Sequence, residues 1–153
     1  MFKQKLFKAF TLVELLIVIA VMGVLAGAVL VSINPADKLN LANDSKVQSD
    51  LSQISTALSS YYAQNGYYPG PNTAAVTTAL TTAELPVWPA APTGYTYTVA
   101  STPGTCTTAA KDCVSVIVSA TLKAVKWGTS NVWKWTSANG KTCADTAATG
   151  NCP

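Results

Sequence analysis

Glu14 is the one charged residue in the run Phe10 to Val31, which reads FTLVELLIVIAVMGVLAGAVLV. A carboxylate inside an apolar stretch of membrane length costs roughly 2.5–3.5 kcal/mol on insertion scales. Something must offset that cost. Three cations, Lys3, Lys5 and Lys8, lie just upstream with no acid among them. The chain contains no His, which removes the commonest general base and metal ligand. Ser and Thr are plentiful, but none has a His or Lys base in a recognisable motif. There is no phosphate loop, no HExxH and no GxSxG. The chemistry on offer is therefore pairing and packing, and the chain reads as a non-enzyme with no cofactor and no metal.

Two further groups invite a chemical reading. Four cysteines stand at 106, 113, 143 and 152. Their six- and eight-residue spacers are longer than the two- to four-residue spacers of zinc sites. Beyond a membrane they meet an oxidising compartment, where disulfides persist. Three connectivities are open; Cys106–Cys113 with Cys143–Cys152 is favoured, because each closes a short loop. The second group is basic and aromatic: Lys123, Lys126, Lys134 and Lys141 fall near Trp127, Trp133 and Trp135. Such interleaving can bind single-stranded nucleic acid by charge and stacking. The competing reading is preferred. Strand alternation puts Trp133 and Trp135 opposite Lys134, packed on a helix.

The elements that position these residues follow from periodicity. About 22 apolar residues at ~1.5 Å each suffice for a ~30 Å hydrocarbon core. The upstream lysines place the N-terminus in the cytoplasm. Gly23 and Gly27 form a GxxxG that permits close helix–helix approach. Beyond it, Asn34 suits an N-cap and Pro35 the first helical position. Val47, Leu51, Ile54, Leu58 and Tyr61 then step along one helix face. Asn65-Gly66 supplies a stop. One helix, bent or weakened near Asn34, is expected from about Thr11 to Gln64. Residues 72–83 suggest a short helix or a loop. Strands are expected at Tyr95–Val99, along Val114–Leu122 and at Val132–Thr136, with a hairpin at Asn139-Gly140.

Three of the ten lysines lie in residues 1–9, which leaves seven of each sign beyond them. That balance argues against strong whole-molecule attraction to nucleic acid. A domain this small is short of core, so the helix stripe and the disulfides should both matter.

The order of these features is informative. A basic leader ends at the small-to-aromatic junction Ala9–Phe10, and FTLVELL follows. Across Lys8 to Ala26 this resembles the prepilin-type signal of type IV pilins and type II secretion pseudopilins. The residue before the junction is usually Gly, and here it is Ala9. The resemblance implies cleavage between Ala9 and Phe10 by a prepilin peptidase and N-methylation of Phe10. It also implies pairing of Glu14 with the terminal amine of a neighbouring subunit. The expected organisation is a leader over 1–9, a transmembrane and assembly helix over 10–33, and an extracytoplasmic domain over 34–153. That domain comprises an amphipathic helix (35–65), a loop (66–94) and a β-meander (95–153). The fold expected is α+β: a long N-terminal helix packed on a small antiparallel sheet.

The implied function is a structural subunit of a pilus-like filament. Its partners would be other copies of itself, the peptidase and an inner-membrane assembly platform. It would reside in the cytoplasmic membrane first and in a surface filament afterwards. A pseudopilin of a secretion or DNA-uptake machine is the alternative, and a monomeric anchored or secreted binding protein is the alternative of another class. An ordinary signal peptide cut after Ala28 is the competing account of the apolar run.

Overall fold

The computed structural model describes residues 10–82 and 84–153. The leader lysines and Ala9 lie outside the described residues. The chain divides into two units that meet between Ala36 and Asp37.

The first unit contains one complete helix, α1, Leu12–Ile33. Apart from Glu14 and Ser32 it is apolar all round, and it buries none of its residues within the chain. Helices of that kind are stable where lipid or protein covers them. Its 22 residues span about 33 Å at ~1.5 Å rise.

The break at Asn34 is sharper than a bend. Asn34 is left-handed (φ 46°, ψ 74°) and closes α1, and α2 begins at once with Pro35 and runs to Asn65. The proline explains this. Its ring disfavours the right-handed helical region for the residue before it, and Asn tolerates the left-handed one. Asn34 thus ends one helix immediately before the next begins.

In the second unit α2 presents Val47, Leu51, Ile54 and Leu58, all fully buried. The sheet they meet has four antiparallel strands in the order β1 (Tyr97–Thr102), β2 (Ser115–Thr121), β3 (Val132–Thr136) and β4 (Lys141–Asp145). Tyr97, Val99, Val116, Val118, Ala120 and Trp135 are its buried inner residues. Trp133 and Trp135 stand across from Ala120 and Val118.

Residues 72–83 contain a short helix, α3, Thr73–Leu80, capped by Asn72, whose Oδ1 accepts from Ala75 N at 3.1 Å. It seats Val76 and Leu80 in the same core. Between β2 and β3 the chain makes a 3₁₀ turn at Val125–Trp127. The β3–β4 connection is a four-residue turn, Ser137 to Gly140, with Gly140 at φ +66°.

Candidate functional site

Thr11 precedes α1 with extended backbone and caps it. Its hydroxyl accepts from Glu14 N at 3.2 Å. In return Glu14 Oε2 accepts from Thr11 N at 3.1 Å and from the Thr11 hydroxyl at 3.0 Å. This is a capping box, in which two otherwise orphaned helix-start donors are satisfied reciprocally. The donors to the Glu14 carboxylate thus come from its own segment, both from Thr11. The partners are neutral, so the carboxylate is solvated but its charge is not cancelled. Phe10 is exposed immediately beside it. Gly23 and Gly27, four apart on one face, are also exposed, and a Cβ on either would meet nothing within 4 Å.

The cysteines join as Cys106–Cys113 and Cys143–Cys152. The first bridge is fully buried and closes the loop before β2. Asp112 lies near its sulfurs, but they are already bonded to each other and Asp112 accepts from Thr107 N at 2.8 Å. The second bridge ties the C-terminal segment to β4. Peptide mapping without reduction is expected to return these two crosslinks, and a Cys106–Cys152 product would contradict them.

The four lysines do not form one surface. Lys134 is 0 % exposed. On its face of the sheet it neighbours Ser119 and Cys143. Its Nζ donates to Asp145 Oδ2 at 2.6 Å, Thr149 O at 3.0 Å and Ala147 O at 3.3 Å. Alternation does place it opposite Trp135. The chain after β4 then folds back over that face, pinned by the Cys143–Cys152 bridge, and buries it. Lys134 is therefore no surface-binding cation. Its hydrogen bond, with that from Thr146 N, holds the Asp145 carboxyl below its ordinary range. Lys141 is exposed and donates to Pro153 O at 3.1 Å. Lys123 Nζ lies 4.7 Å from the Tyr95 ring centre and Lys126 Nζ 4.4 Å from that of Trp127. Trp127 also meets Trp133 at 5.8 Å. The aromatic faces a nucleotide would need are largely committed within the domain.

The sequence reading missed a set of carboxylates on α2. Asp44 is 1 % exposed. Its Oδ1 accepts from Tyr95 OH at 2.7 Å and Lys123 N at 2.9 Å; its Oδ2 accepts from Ala124 N at 2.8 Å and Trp127 Nε1 at 2.9 Å. All four donors are neutral. Burial pushes the Asp44 carboxyl up, but these hydrogen bonds together hold it below its ordinary value. Asp50, also buried, accepts from Tyr97 OH and pairs with Lys46. Burial, then the hydrogen bonds to Asp44 and Asp50, push both tyrosines well above the ordinary phenol range. Asp37 Oδ1 accepts from Val125 N at 2.8 Å. A signal was present: Asp44 lies three residues before Val47, in line with the apolar stripe, and Tyr95 and Tyr97 alternate as a strand's inner face does.

Residues 4–30 match the family model of the prokaryotic N-terminal methylation motif. That motif is the prepilin signal of type IV pilins and pseudopilins, and it supports a pilin-like or pseudopilin protein. No curated protein and no solved structure matches the chain.

Proposed function

We propose that this chain is a structural subunit of a type IV pilus-like filament. A prepilin peptidase cuts between Ala9 and Phe10, and the new Phe10 amine is methylated. α1 spans the cytoplasmic membrane once, with its N-terminus inside. Glu14 then pairs with the Phe10 amine of a neighbouring copy, and Gly23 and Gly27 let neighbouring α1 helices approach closely. An inner-membrane assembly platform moves the subunit into a helical homopolymer, and the sheet domain forms its outer surface.

The observation that carries this reading is Glu14 itself. It sits at the start of a helix with no buried residue and is held by neutral donors alone. Hydrogen bonding lowers the cost of a carboxylate in hydrocarbon, while a cation removes much more of it. Cleavage creates such a cation four residues upstream on every copy. Mass spectrometry of the exported protein is expected to find a methylated N-terminus at Phe10. A start at Val29 would assign the segment to an ordinary signal peptidase, and a retained Met1 would make it a plain anchor.

A further inference from the structure

Two of the α2 carboxylates bind one loop. Asp37 takes the backbone N–H of Val125, and Asp44 takes those of Lys123 and Ala124 and the indole N–H of Trp127. With its donors drawn inward, the loop turns its other side chains out. Val125 is 75 % exposed, and Lys123 and Lys126 are exposed on either side of it. Lys38 and Leu39, in the first turns of α2, are exposed as well.

Ammonium groups on long apolar stems, set beside bare aliphatic side chains, are what the membrane–water interface favours. The chain limits how far this loop can stand from such an interface. Asp37 follows Ile33, the last residue of α1, by four residues. Four extended residues reach at most about 14 Å. The headgroup layer is itself roughly 5–7 Å deep on each side, and surface charge is felt about 8–10 Å beyond it. A second copy offers poor charge complementarity. Its Asp44 and Asp50 are buried and its Asp145 is paired with Lys134, so three of its domain carboxylates are unavailable to a neighbour's lysines.

We propose that Lys38, Lys123, Val125 and Lys126 form a juxtamembrane platform that binds anionic lipid headgroups while the subunit is membrane-inserted. The proposal rests on the reading that α1 spans the bilayer. The platform would hold the domain against the membrane surface until assembly extracts it.

The full chain, reconstituted in vesicles, tests this. Val125→Cys carries an environment-sensitive fluorophore with the native disulfides intact, and the vesicles are phosphatidylcholine alone or mixed with phosphatidylglycerol. Resistance to alkaline extraction scores insertion separately. Quenching of the probe by headgroup-labelled lipid is expected in the mixed vesicles only. The docked-to-undocked ratio should fall about fivefold for each of Lys38→Gln, Lys123→Gln and Lys126→Gln. An inserted protein whose probe stays unquenched overturns the platform, as does equal quenching in neutral vesicles. Quenching that depends on protein density would assign the surface to a second copy and also overturn it. A protein that fails to insert overturns the membrane reading along with the proposal.

Discussion

Glu14→Ala is expected to leave a processed protein in the membrane that fails to enter filaments. The substitution makes the apolar segment easier to insert, so loss of filaments cannot be blamed on loss of membrane targeting. It also removes the Glu14 half of the capping box, while the Thr11 hydroxyl still accepts from the residue 14 N–H. Glu14→Gln separates the two effects. Gln retains an acceptor for the Thr11 donors, as capping boxes allow, but carries no charge. If pairing with a neighbour's amine matters, Gln fails as Ala does. If only the cap matters, Gln restores assembly. Comparing sheared-filament and membrane fractions across the three proteins decides the matter. Normal filament yield from Glu14→Ala would sink the pairing role altogether.

The second large effect is expected at Asp44. Asp44→Ala leaves four donors, from Tyr95, Lys123, Ala124 and Trp127, facing a small void. Each stranded buried donor costs about 1–3 kcal/mol, and the effects do not simply add. A loss of roughly 3–5 kcal/mol in unfolding free energy is expected, at the severe end for single substitutions. Asp44→Asn keeps one oxygen acceptor and should lie between. The sign of the pH effect follows from the lowered folded carboxyl. The Asp44 contribution is complete above its ordinary value of 3.8 and lost as pH falls through the lower folded value. Urea unfolding between neutral and acid pH should therefore show a steeper loss for the wild type than for Asp44→Asn. Parallel curves would mean that Asp44 titrates alike folded and unfolded. Tyr95 acts at the other end of the scale. Its raised phenol contributes fully below about pH 10 and loses that contribution as alkali rises further.

Local patterns made much of this architecture legible. The step of four and three from Val47 to Leu58 gave the buried face of α2, because burial on a helix repeats every 3.6 residues. Val116, Val118 and Ala120 gave the inner face of β2 by alternation. The first strand was harder to bound. Tyr95 N is used in a turn, bonding to Pro92 O at 3.0 Å, so pairing begins at Tyr97, two residues later than the alternation suggests. At the candidate site, the signal at residues 4–30 was readable because its specificity lies in contiguous residues. Lys134 was not readable. Alternation fixed its face, but what covers that face is the chain after β4, and no local pattern reports a segment that returns from elsewhere. Asp44 failed for the opposite reason. It lay within the stripe, but a carboxylate there looks like an interruption until its donors, some fifty to eighty residues away, are known.

The return of the chain over β3 also fixes where any further sequence would start. Cys152 is bonded to Cys143, its carbonyl accepts from Asn139 Nδ2 at 2.7 Å, and Lys141 Nζ reaches Pro153 O. Pro153 is thus moored beside the β3–β4 turn at two neighbouring residues, where an unfastened tail would sweep a wide volume. An epitope or fluorescent protein appended there would emerge from one defined spot on the domain. Its position would then report the orientation of the domain, with little blur from the tether.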